Sequence, residues 1–204
     1  MITINIDLGS AQEVKALVIY DHNLSSTATI TLKGVEPTIF SESVTWASGK
    51  ILHYLSAATT KRYWQLQITD DANTDAYIDI AEVFLGSYVE LSKTYSIGFS
   101  KGFELLHDSN KTPYGVVKKR FYNKQRIFTY DFRLISTTDL ALLETMIDAL
   151  AVRSSGVLNS FWFNDDSAVV ANNWLVDITA VPESHVAGSF YETSLELTET
   201  VKSV

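Results

Sequence analysis

Four histidines and two acidic runs are the groups in this chain best equipped for chemistry. His22, His53, His107 and His185 stand apart, and none is followed by a second His, Asp or Glu three or four residues on. That spacing would put two ligands on one helix face. There is no H-E-x-x-H, no G-x-S-x-G and no phosphate-cradling glycine loop, so the histidines read as surface residues. Asp165 and Asp166 form an adjacent carboxylate pair, but neighbours on a strand point to opposite faces. They read as a solvated turn after Phe161-Trp162-Phe163. The run Asp70-Asp71-Ala72-Asn73-Thr74-Asp75 is rich in calcium-type oxygen ligands, yet it lacks the central Gly and closing Glu of an EF-hand loop. It reads as a polar hairpin turn. The chain has no cysteine, which excludes disulfides, thiolate metal sites and a cysteine nucleophile. The expectation is a protein that is not an enzyme, with no cofactor and no metal. Trp46 and Tyr54 have loop-like flanks and are the aromatic candidates for contact with a glycan.

Charge narrows the partners. Sixteen Lys and Arg against 24 Asp and Glu give −8 over 204 residues, a poor balance for general nucleic-acid binding. Lys111, Lys118, Lys119, Arg120, Lys124 and Arg126 nevertheless share one stretch with no carboxylate in it. After Asn164 seven acids face only Lys202. The basic stretch reads either as a solvated hairpin face or as a surface that meets the acidic C-terminal region of a neighbouring copy, since complementary patches on one chain favour a head-to-tail contact and one that closes makes a ring. No apolar run approaches the roughly 20 residues of a membrane helix. The start, Met1 to Asp7, lacks the pattern of a signal peptide.

The elements needed to hold these groups are mostly strands. Ile2, Ile4, Ile6 and Leu8 alternate with polar residues, Gly9-Ser10 breaks the run, and Val14 to Tyr20 is a dense apolar segment. Thr27 to Leu32, Tyr63 to Thr69 and Tyr77 to Leu85 follow in the same style. A second unit is expected from about residue 89. Tyr95, Ile97 and Phe99 alternate there, and Gly98 and Gly102 suggest a bend or bulge. Thr112-Pro113-Tyr114-Gly115 is a turn signal. Phe121 to Arg126 reads as a short connection between strands. Ile127 to Ile135 puts Phe128, Tyr130, Phe132 and Leu134 on one face. The one helix is expected over about 137–153. Ser136 is its N-cap, Asp139 completes the box, Leu140, Leu143, Ile147 and Leu150 form its stripe, and Arg153 and Gly156 close it. Strands resume at Ser160 to Phe163, Asn173 to Thr179 and Phe190 to Leu197. The fold class expected is mostly β, with a sandwich over 1–88 and an antiparallel sandwich or barrel over 89–204, the second bearing the one packed helix.

Two resemblances add to this reading. Ile6-Asp7-Leu8-Gly9-Ser10 with Val14 to Tyr20, Lys61 to Ile68, and the closing Ile80-Ala81-Glu82-Val83-Phe84-Leu85-Gly86 resemble a discoidin-like (galactose-binding-like) β-sandwich over residues 1–88. The family has a further N-terminal portion, so the expectation is that either the module is trimmed or this chain lacks part of the natural protein. Glu82 matches a carboxylate that helps bind calcium in some members, but the partner loop is missing here. From about residue 88 the order of elements resembles the tail-tube-type fold of bacteriophage distal-tail and tail-tip proteins. That order is an aromatic strand, a helix, a Phe-Trp-Phe strand with a carboxylate turn, Trp174 to Ile178, and Tyr191 to Glu199.

The resemblance implies a structural component of a phage tail tip or baseplate. It would form a homo-oligomeric ring, a hexamer by family likeness, that joins the tail tube to host-recognition parts. Such a protein would assemble in the host cytoplasm and reside in the virion beside other tail proteins. Lys118, Lys119, Arg120, Phe121, Tyr122, Arg126, Leu140 and Leu143 are the expected subunit contacts. The alternative is a carbohydrate-binding module that adheres to a host glycan.

Overall fold

The computed structural model describes residues 1–35, 38–92, 99–152, 157–181, 183–187 and 190–200, with backbone alone at 152, 157–158, 183–187 and 190. Tyr95, Ile97 and Gly98, and the helix-closing Arg153 and Gly156, lie outside the described residues. The chain divides into two compact units, Met1–Tyr88 with Asp166–Asn172, and Val89–Asp165 with Asn173–Val204. Both are antiparallel β.

The first unit is one five-stranded sheet of order β3-β2-β4-β1-β5. Its strands are β1 (Ile2–His22), β2 (Thr29–Val35), β3 (Phe40–Val44), β4 (Lys50–Thr69) and β5 (Ile80–Gly86). The two runs expected around Gly9-Ser10 are a single strand. The break is a register shift against β4 between Asp7 and Gln12, and a second follows between Val14 and Ala16. These irregularities let one long strand pair serve two layers. The first half of β1 and the second half of β4 continue into β2, while the rest of β1 carries β5. Val14, Leu17, Ile19 and Ile51 from one half meet Ile30, Leu32, Trp64, Leu66 and Ile68 from the other in one buried core. That is the sandwich expected from the alternation.

Gly34 shows how tightly this unit is fitted. A Cβ there would lie 3.2 Å from the Lys61 stem. Lys61 is itself buried and donates its ammonium to the Thr38 carbonyl and hydroxyl. The glycine leaves room for a cation to run inward along its methylenes.

The second unit is a six-stranded sheet in which β10-β11-β13-β7-β6 are neighbours and β12 pairs with β13. Its elements are β6 (Ser100–Lys111), β7 (Val117–Ser136), α1 (Thr137–Leu150), β8 (Ala151–Val152), β9 (Val157–Leu158), β10 (Phe161–Asn164), β11 (Asn173–Ala180), β12 (Glu183–Ala187) and β13 (Phe190–Glu199). Phe128, Tyr130, Phe132, Trp174, Val176, Leu195 and Leu197 face one core, and α1 adds Leu143. Phe128, Tyr130, Phe163 and Trp174 lie ring against ring at 5.0–6.5 Å, so aromatic contact accounts for much of this packing.

Ser136 caps the helix as expected, accepting from the Asp139 amide at 3.2 Å. Asp139 does more than complete the cap. It is buried, and it accepts from the Ser92 amide and hydroxyl and from the Ser136 hydroxyl. The helix stops at Leu150, short of Arg153, because Ala151 turns into extended backbone (ψ 111°) and begins β8.

Three further expectations are corrected. Leu134 does not share the face of Phe128, Tyr130 and Phe132. It is exposed at φ 56°, and Ile135 is buried in its place. A register shift between Tyr191 and Thr193 of β13 inserts the extra β7 residue that flips the alternation. Gly102 pairs in register with Ile127, and the irregularity of this hairpin falls at Leu106/His107. Phe121 to Arg126 is no connection but the middle of β7.

Candidate assembly surface

That last correction changes the geometry of the basic stretch. β6 and β7 form a hairpin from Ser100↔Thr129 to Lys111↔Val117. Its turn is Thr112 to Val116. The Gly115 amide reaches back to the Thr112 carbonyl at 2.9 Å, and Gly115 takes φ 84°, where a side chain would be strained. The buried core of this unit begins at Phe128. Beyond Glu104↔Gln125 the hairpin is therefore a projecting arm of roughly 25 Å, at about 3.3 Å per residue along β6. Its residues are exposed on both faces, apart from half-buried Leu106, Thr112 and Asn123.

Register assigns the two faces. On one, Phe103, Leu105, Phe121 and Val117 stand with Arg126, Lys124, Lys119 and Lys111, and no carboxylate of the hairpin itself joins them. Phe103 and Phe121 are 57% and 59% exposed, and Tyr114 at the tip is 95% exposed. Lys124 and Arg126 lie over the Phe103 ring at 5.0 and 5.7 Å, so the apolar surface is edged by cations. The opposite face carries Glu104, Asp108, Arg120, Lys118 and Tyr122. Tyr122 donates to the Asp108 carboxylate, which raises its phenol pKa, and Arg120 lies 5.4 Å from its ring centroid. Residues 100–126 hold seven Lys and Arg against two acids, a net +5. The rest of the chain therefore carries −13 of the total −8.

The sequence candidates separate accordingly. Lys118, Lys119, Arg120, Phe121 and Tyr122 are on the arm. Arg126 sits at its root, 3.6 Å from the Glu199 carboxylate and 5.5 Å from the Trp174 ring centroid. Leu143 is 3% exposed and Leu140 half-buried, so Leu143 is removed from the contact set: its side chain is spent on the core. Phe103, Leu105, Tyr114 and Val117 were missed. The Phe103/Leu105 alternation beside an opposing basic run was the signal available for them.

The remaining chemical candidates resolve into structure. Asp165 is not in a solvated turn. Its side chain is 3% exposed and accepts from Lys101 and the Tyr130 hydroxyl. Lys101 in turn lies over Phe99 and Trp174. Asp166 is exposed and receives the Ala168 amide. The Asp70 to Asp75 turn is braced rather than open, with Asp70 accepting from the Ser25 amide and hydroxyl and Asp75 receiving the Asn23 side chain. Among the described residues no three His, Asp or Glu come together as a metal group. His22 sits between the Ala47 carbonyl and the Leu24 amide, and burial lowers its pKa. His53 lies 3.4 Å from Glu42, and His107 bonds the Leu105 carbonyl. The His185 side chain lies outside what is described, and Glu82 stands on β5 opposite Tyr20. Trp46 donates its indole N–H to the Leu24 carbonyl at 3.1 Å and packs on the core. Tyr54 meets Tyr88 edge to face.

One surface ion pair is well organised. Arg62 grips Asp7 with two bonds of 2.7 and 2.9 Å and lies 4.8 Å from the Tyr63 ring centroid, while the Gly9 amide donates to the same carboxylate. The Arg62 bond and then the Gly9 amide hold the Asp7 carboxyl down to about 2. Its contribution to stability is present above the ordinary value near 3.9 and fades as pH falls through about 2. Arg62→Gln should return the Asp7 titration, read by carbonyl NMR, toward the ordinary value. An unchanged midpoint would show that Arg62 is not its cause. No helix among the described residues is long and apolar enough to cross a membrane. Comparison with protein-family models, curated proteins and solved structures found no match for this chain.

Proposed function

We infer that this chain is a structural subunit of a bacteriophage tail tip or baseplate, forming a ring that joins the tail tube to host-recognition parts. The observation that carries the reading is the β6–β7 arm, a projecting hairpin with exposed phenylalanines and +5 of charge on a chain whose remainder is −13. Left in solvent it is an aggregation hazard, with apolar side chains exposed on one face and the outer edge of β6 unpaired among the described residues. Laid on the acidic body of the next copy it gains both apolar burial and charge complementarity. One patch meeting a different patch on an identical neighbour is a heterologous contact, which makes a ring when its rotation closes. The order of elements from Arg126 to Glu199, which resembles the tail-tube-type fold, supports the virion setting and a neighbour of the same type above or below.

Lys119→Glu with Arg120→Glu tests this reading. Both side chains are exposed on the arm, one on each face, and neither contributes to the core. Folding should be unaffected and self-association weakened at least about tenfold, with a shallower dependence on salt. Assembly indistinguishable from wild type would reject the arm as the contact.

A further inference from the structure

We propose that Lys101 and Asp165 condense to an intramolecular amide, a covalent cross-link that joins the two edges of the second unit's sheet. Lys101 is the second residue of β6, at one end of the path β10-β11-β13-β7-β6, and Asp165 directly follows β10 at the other end. The two are 64 residues apart in sequence, yet the Lys101 ammonium donates to Oδ2 of the Asp165 carboxylate. The sheet is therefore curled far enough for its edges to meet at this pair.

Three features set the pair apart from a surface ion pair. The first is the carboxylate. The Asp165 side chain is 3% exposed, and its Oδ1 is buried with no hydrogen-bond partner among the described residues. A buried carboxylate oxygen without a donor costs more than an amide carbonyl in the same place. Condensation removes both charges and leaves Oδ1 as that carbonyl. The second is the aromatic setting. The Lys101 nitrogen lies 5.2 Å from the Phe99 ring centroid, 5.4 Å from that of Trp174 and 6.0 Å from that of Tyr130, and the last two residues are buried. Rings on these sides hold nitrogen and carboxyl together. Groups positioned in this way act at an effective concentration of roughly 10⁵ M or more, far above that of the water that would reverse the step. The third is Tyr130, whose hydroxyl donates to Oδ2 at 3.3 Å. That is the oxygen that has to leave.

The step balances within the pair and needs no co-reactant. One ammonium proton passes to Oδ2, which turns two charges into a neutral amine and a neutral acid, the form that a water-poor site favours. The amine nitrogen attacks Cγ. The C–N bond forms, the Cγ–Oδ2 bond breaks with the Tyr130 hydroxyl donating to the departing oxygen, and a second proton from nitrogen completes one molecule of water. The Lys101 side chain, 34% exposed, gives that water a way out. The product closes a long loop, as a disulfide would. It also fixes β6, the strand that carries the arm, to the far edge of the sheet, so tension on the arm reaches the body through a covalent bond. The inference goes beyond the assembly reading and does not depend on it.

The test is the intact mass of the purified full chain, measured by electrospray under denaturing conditions. It is expected about 18 Da below the sequence mass, the loss of one water. Proteolysis and fragmentation should then yield a branched peptide that joins Lys101 to Asp165. Lys101→Arg keeps the positive charge and Asp165→Ala removes the carboxyl, and each should restore the full mass. The wild-type mass decides the matter even if neither variant folds. A full sequence mass after prolonged incubation of the folded chain overturns the proposal and leaves an ordinary ion pair. So does a loss of water that persists in both variants or maps to other residues. A cross-linked chain that stays monomeric would leave the amide standing and reject the assembly reading alone.

Discussion

Replacing residues 105–124 with an Asn-Gly turn between Glu104 and Gln125 is expected to abolish self-association while the second unit stays folded. The arm residues removed contribute nothing to the core that starts at Phe128. Glu104 and Gln125 already stand opposite each other, so a two-residue turn of the type favoured in hairpins can close the shortened strands. The unfolding free energy should change by no more than about 1 kcal/mol, in line with surface changes away from packed features. Sedimentation velocity would read the assembly and chemical denaturation the stability. A shortened chain that still assembles would place the contact elsewhere. One that unfolds would show the arm to be part of the unit's own structure.

This arm is also where sequence reading was weakest, for a physical reason. Period-two alternation arises because one face of a strand is buried. Val117 to Arg126 buries neither face, so its run of Lys, Arg and Asn resembled a connection. The flip at Leu134 was hidden for another reason. The extra residue that causes it is opposed by a shift in β13, and pairing partners are not written into either strand alone. Where a face is buried or a cap is local, the residues were explicit. The Ile2 to Leu8 alternation, the Thr112 to Gly115 turn and the Ser136–Asp139 cap all lie where expected. The Asp165 pair shows the opposite case. Its burial depends on Lys101, 64 residues away, and a dipeptide carries no trace of that.

Trp64→Ala should be the most damaging single change in the first unit, costing about 3–5 kcal/mol. Trp64 is among the largest fully buried side chains, packs edge to face with Phe40 at 5.8 Å, and donates its indole N–H to the Lys61 carbonyl. It sits where β4 passes between β1 and β2, paired with both Ile6 and Gly34. Truncation leaves a cavity beside Leu66 and Ile68 that rigid strands on both sides cannot close. Hydrogen-exchange mass spectrometry should show β1, β2 and β4 peptides losing protection together. Protection retained across those strands would mean that the core can collapse around the lost ring.

The central claim is that copies of this chain assemble through the arm, and solution mass across a salt series tests it most directly. Light scattering on the wild-type chain should give a discrete multiple of 22.8 kDa at low salt, a central hole in negative-stain images of the same sample, and dissociation as salt rises. A single 22.8 kDa species at every salt and protein concentration would contradict the account.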